Sequence, residues 1–198
     1  MIDGNTLMTF SLILANIALY IMTSSNTHIM DACKHYPFQE RQDKSYYRWI
    51  TSGFLHANLM HLALNLFVLY QFGGTVEAIF KGMFGFAMGG IFYLLTYFTI
   101  LVLSGLPTYL KFKNNRNYSS VGASGVISGI LFIYILYFPL NLLFILGLVP
   151  IPAALFGILY LFFSKWASGR YDDMIDHDAH YYGAIAGLVI GCIIKFLL

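Results

Sequence analysis

Four residues at telling intervals suggest chemistry in this chain: Ser124, His180, His61 and Asn65. Ser124 lies in Gly122-Ala123-Ser124-Gly125, followed by Ser128 and Gly129. A serine that opens a helix sits among backbone N–H groups without intrahelical partners. That setting suits a nucleophile whose reaction creates an oxyanion. Such a serine needs an adjacent base, and histidine is the usual one. His180 heads the run His180-Tyr181-Tyr182-Gly183, which continues to Gly187 and Gly191. Glycines four apart form one helical stripe, suited to close packing against Gly125 and Gly129. His177 is a rival base, and Asp176 and Asp178 read as solvated. His61 and Asn65, four apart, share a helix face. Both can donate hydrogen bonds while neutral, which stabilises a developing oxyanion without burying a charge. Each element also has a plainer reading: polar glue between helices for His61 and Asn65, an N-cap for Ser124, a structural histidine for His180. His56, five residues before His61, would face elsewhere and reads as a structural hydrogen-bonding group.

The elements that must hold these residues are membrane spans. The chain of 198 residues is 59% hydrophobic and 10% charged, with a mean hydropathy of +0.70. Soluble domains carry roughly 25% charged residues, so the membrane class is favoured. The net charge of +2 comes with no basic block of the kind that binds nucleic acid. Cys33 and Cys192 read as unpaired, and no metal-ligand spacing is present. The N-terminal residues lack a positive region and the first apolar run lacks a small-x-small site, which reads as a retained span. A spanning helix needs about 20 apolar residues. Charge-free intervals give spans at 7–23, 55–76 and 82–104. A long charge-free stretch between Arg116 and Lys165, broken at Pro139 and Asn141, gives 121–138 and 141–163. The last span is 179–198. Pro150 and Pro152 should kink the fifth span or break it locally. The loop before the fourth span is basic, and the loop before the sixth, around 168–178, is acidic. The expected architecture is all-α, one polytopic domain over 1–198 with six spans.

The elements together carry more information than apart. The order His56-x4-His61-x3-Asn65, then Gly-x-Ser-Gly, then Ala179-His180-x2-Gly183-x3-Gly187 resembles the rhomboid family of intramembrane serine proteases. Gly73-Gly74-Thr75-Val76-Glu77 and the segment Tyr47-Arg48-Trp49 to His56 look like that family too, and the resemblance runs from about Tyr47 to Gly191. The family usually has Trp-Arg in the first loop, where this chain has Tyr47-Arg48.

The resemblance implies a six-helix rhomboid-like bundle and a Ser124–His180 dyad without a carboxylate. It implies an oxyanion hole of the Ser124 backbone N–H, His61 and Asn65. Gly122, Gly125, His56, Arg48, Glu77, Gly183 and Gly187 take supporting roles. The expected substrates are transmembrane proteins within a lipid bilayer, reached through a lateral opening at the fifth span, with no cofactor, metal or nucleic acid. The serine is expected in a polar cavity lined by His61, Asn65, Ser124 and His180. The family topology puts the chain in the plasma or inner membrane with the active site facing away from the cytoplasm. Nine of the eleven Lys and Arg residues then fall outside, leaving Lys81 and Lys195 inside, the reverse of the positive-inside rule. Two rivals are a catalytically inactive relative that binds membrane clients, and a small transporter using buried histidines. The latter would want a repeat or paired broken helices.

Overall fold

The computed structural model describes residues 6–145, 148–168 and 175–197. Arg170, Leu198 and the middle of the acidic loop lie outside the described residues. Helix α1 (Leu7–Ser24) is followed by three short helices, α2 (Thr27–Cys33), α3 (Pro37–Asp43) and α4 (Arg48–Thr51), and a 3₁₀ turn at Ser52–Phe54. The long first loop is thus folded, held by Arg48. That side chain is buried and donates to the carbonyl oxygens of Asp31 and Lys34 and to Ser45 Oγ. Pairing a buried guanidinium with several acceptors removes the cost of its burial.

The next rod is continuous from Leu59 to Phe84: α5 (Leu59–Val68), a π turn (Leu69–Gly73) and α6 (Gly74–Phe84). It differs from the expected 55–76 at both ends. Asn58 caps it by accepting from the His61 amide at 2.8 Å, so His56 lies on the loop before the helix rather than on it. At the other end Glu77, fully buried, accepts from the amides of Met8 and Thr9 and from Thr9 Oγ1, and pairs with Lys81 at 2.7 Å. Glu77 therefore supplies to α1 the N-terminal acceptor that its own cap residue does not. Gly85, at φ +79°, breaks the rod and starts α7 (Phe86–Phe112), longer than the expected 82–104.

Helix α8 (Ser124–Tyr137) is the central element, with most of its side chains buried by neighbours on all sides. Its 14 residues span about 21 Å, less than the hydrocarbon thickness of about 30 Å. A helix this short cannot reach both membrane surfaces. Helix α10 (His177–Leu197) lies beside it.

The expected fifth span, 141–163, is corrected. Its first part is an antiparallel ribbon of β1 (Leu142–Ile145) and β2 (Val149–Pro152), and only α9 (Ala153–Ala167) is helical. The reason is the two prolines. Inside a helix Pro150 and Pro152 would each remove a hydrogen bond and clash with the preceding turn; an isolated two-stranded ribbon tolerates them. Pro152 then stands at the N-cap of α9, a break rather than a kink. Among the described residues, four helices are long and apolar enough to cross a membrane, Leu7–Ser24, Leu59–Phe84, Phe86–Phe112 and His177–Leu197, and α8 and α9 are shorter apolar helices. The fold is an all-α membrane bundle with one small ribbon.

Candidate active site

The seam between α8 and α10 fixes the site. The helices meet backbone to backbone. A methyl group on Gly183 would overlap the carbonyl of Gly125, and one on Gly187 would overlap that of Gly129. Gly125 also faces the Ala179 carbonyl oxygen, 3.2 Å from where its own Cβ would stand. His180 lies between Ala179 and Gly183, and Ser124 directly precedes Gly125. The two candidate dyad residues thus occupy the same end of the seam.

Ser124 is half-buried at the first position of α8, and no side chain caps that helix. The first hydrogen bond of the helix runs from the Ile127 amide to Ala123 O, so the amides before Ile127 have no intrahelical partner. Gly122 sets this turn. Its φ of +131° is open to glycine and strained for other residues. A Cβ there would also stand 2.7 Å from His61 Cε1 and 2.9 Å from Nε2, with Ser124 Oγ 3.8 Å away. The His61 ring and the Ser124 hydroxyl therefore converge over the bare face of Gly122. Asn65, one turn below His61, is buried, and its Nδ2 has no hydrogen-bond partner among the described residues. An orphaned amide donor is costly in a resting structure and useful to a charge that forms during reaction.

His56 does not face elsewhere: its ring meets that of His61 edge-on, centroids 5.0 Å apart. Helical spacing does not apply to His56, which precedes the helix. His56 is almost fully buried and acts as a wall behind His61. His177 is buried against Phe163, and its ring centroid lies 5.9 Å from that of His180.

The acidic pair is not solvated. Asp176 accepts from Thr108 Oγ1 at 2.9 Å, Ser120 Oγ at 3.1 Å and the Ala179 amide at 2.9 Å. It caps α10 and ties that helix to α7 and to the strand-like segment before Ser124. Burial, with Asp176 beside it, pushes the Tyr118 phenol pKa up, so Tyr118 stays a donor. Asp178 pairs with Lys111.

A cavity of about 40 Å³ abuts Ser124. Among its walls are His35, Ser52, Ser104, Ser120, Ser124 and Asp176. His61, Asn65 and His180, expected to line it, do not. The space extends from Ser124 toward the first loop, where His35 and Trp49 line it. It has room for a few water molecules and polar groups to hold them. His35 was missed from the sequence. It is buried, with Nδ1 against Glu40 at 2.8 Å and a buried Nε2 that has no hydrogen-bond partner among the described residues. Glu40, itself fully buried, also accepts from Trp49 Nε1 and the Tyr36 amide. Backbone bonds between His35 and Ser120 join this unit to the segment before Ser124. Nothing in the spacing of a polar loop announces such a long-range pair.

The chain is similar in sequence to known proteins. The family model described as Rhomboid domain matches residues 43–195. The chain is 31% identical over 206 aligned residues to Rhomboid-like protein 11, chloroplastic, of Arabidopsis thaliana, covering 91% of this chain and 63% of that relative. It is 26% identical over 147 residues to RHOMBOID-like protein 12, mitochondrial, of the same plant, covering 71% and 44%. It is 28% identical over 164 residues to Rhomboid protease GlpG of Haemophilus influenzae, covering 80% and 75%. The chain thus spans less than two thirds of the length of the two plant relatives. With most of its length matched by the family model, and with the helices and motifs above, the chain belongs to the rhomboid family.

Proposed function

We propose that the chain is an intramembrane serine endopeptidase that cuts transmembrane proteins in or near their spanning segments. The observation that carries this reading is the glycine seam of α8 and α10, which leaves Ser124 and His180 level with one another. In this mechanism Ser124 Oγ attacks the peptide carbonyl carbon and its proton passes to His180. The carbonyl oxygen becomes an oxyanion, held by the Ser124 amide, Asn65 Nδ2 and His61. The C–N bond then breaks as His180 protonates the leaving amine, giving an acyl-enzyme. A water molecule attacks the ester with His180 as base, releasing the acid and restoring Ser124. The cavity beside Ser124 supports this last step, since water is scarce inside a membrane. A substrate helix must unwind to expose its carbonyl, and α9 is the side through which it reaches the site. The fully buried residues of that helix are small, Ala153, Gly157, Ser164 and Ala167, with Phe156, Tyr160 and Leu161 partly buried beside them.

The direct test is a serine-directed fluorophosphonate on the purified protein in lipid. The expected adduct is on Ser124, read by mass spectrometry, together with cleavage of a single-span substrate. Absence of both would move the reading to an inactive relative that binds membrane clients.

The active-site face is proposed to point away from the cytoplasm of a plasma or inner membrane. The charge surplus on that face is smaller than the count suggests. Arg48 is buried, Lys34 pairs with Asp31, and Lys111 pairs with Asp178. Two relatives carry organellar names, so this assignment concerns the side of the membrane more than its identity. Cys33, in the first loop, reports it in a Cys192→Ser background. Labelling of intact cells by an impermeant maleimide is expected; labelling only after permeabilisation would reverse the orientation.

A further inference from the structure

Tyr160 lies on α9 between Gly157 and Ser164 and is partly buried. Its ring faces His180 with centroids 6.5 Å apart and planes inclined by 24°. Phe132 and Phe156, each with its ring centroid 5.8 Å away, fix its orientation. Its hydroxyl bonds to Ser128 Oγ. The single proton of Ser128 is donated to the Ser124 carbonyl oxygen at 2.7 Å, so Tyr160 is the donor to Ser128. One side chain thus reaches both halves of the candidate dyad: the imidazole by its ring, and the first turn of α8 through Ser128.

We propose that Tyr160 is a positioning residue for the Ser124–His180 dyad, supplied by α9. This inference rests on the protease reading above. An imidazole must present one nitrogen to the serine hydroxyl, which requires its ring torsion to be held. The two carboxylates that precede it, Asp176 and Asp178, hold Thr108, Ser120, the Ala179 amide and Lys111 instead. The phenol ring supplies a flat wall, and offset aromatic packing at this separation favours the aligned ring. The hydroxyl pins the carbonyl of Ser124 and with it the start of the helix. Because the wall stands on α9, the dyad is aligned only when that helix is seated against α8 and α10. Access of substrate through α9 and alignment of the dyad are therefore coupled.

The test uses the full chain in lipid and four variants: Tyr160→Leu, Tyr160→Phe, Ser128→Ala and the Phe/Ala double. Two rates are read, inactivation by the small fluorophosphonate and kcat for a single-span substrate, beside KM and melting temperature. Tyr160→Leu is expected to lower both rates by about 10- to 100-fold, with KM unchanged. Tyr160→Phe keeps the wall and loses the proton donor, so it is expected to fall only about 3-fold, on the scale of one hydrogen bond. Ser128→Ala should fall alike, and the double variant no further than either single one, because both break one chain of bonds. Wild-type rates in Tyr160→Leu would overturn the proposal while leaving the protease reading intact. So would additive losses in the double variant, a measure that stands even if the leucine variant fails to fold. A wild-type protein that the probe does not label would overturn the protease reading, and the proposal with it.

Discussion

Replacing Ser124 with alanine is expected to lower cleavage of a single-span substrate by at least about 10⁴-fold, with no change in melting temperature. The hydroxyl is half-buried at a helix start that no side chain caps, so its removal leaves no buried partner unmet. Asn65→Ala separates an oxyanion role from a structural one. If Asn65 were polar glue between helices, its amide would have a partner, and removal would destabilise the fold. Its buried Nδ2 has none among the described residues. The expected result is a fall in kcat of about 10²- to 10³-fold, the usual loss of one oxyanion donor. KM and stability should stay within error. Rates measured in proteoliposomes against unfolding midpoints give both numbers. A variant with wild-type kcat would remove Asn65 from the mechanism. A variant that loses stability and activity together would return it to the glue reading.

The parts of this site that the sequence revealed are those with a helical period. His61 and Asn65 share a face because both sit in α5. The glycine stripes at intervals of four are legible because only a missing side chain lets two backbones touch. What escaped has no period. His56 was misread because the helix begins later, at an Asn58 cap. The segment 141–152 is as apolar as a span, and hydropathy does not distinguish a strand pair from a helix. Its two prolines were the usable signal, and they mark a break rather than a bend. Asp176 looked like a surface acid because nothing nearby in sequence names its partners; Thr108 and Ser120 are 68 and 56 residues away. Tyr160 is one of 15 tyrosines, distinguished only by what three helices bring around it.

Gly183→Ala is expected to remove cleavage by at least about 10²-fold and to lower stability by about 1–3 kcal/mol. The added methyl meets the carbonyl of Gly125, which is backbone and cannot rotate away as a side chain would. The helices must separate or slide, and either change carries His180 from Ser124, since each is within three residues of the contact. A shift near 1 Å is enough for a loss of that size. Gly187→Ala provides the control. Its methyl meets the Gly129 carbonyl with equal severity, so the stability loss should match. It lies one turn further from the dyad, so part of the displacement can be absorbed by the helix between them. The expected order is therefore equal melting temperatures and unequal kcat, with Gly183→Ala the slower. If the two variants lost activity in proportion to stability alone, the seam would only hold the bundle together. If Gly183→Ala lost activity beyond its stability loss, the seam would also set the register of the nucleophile and its base.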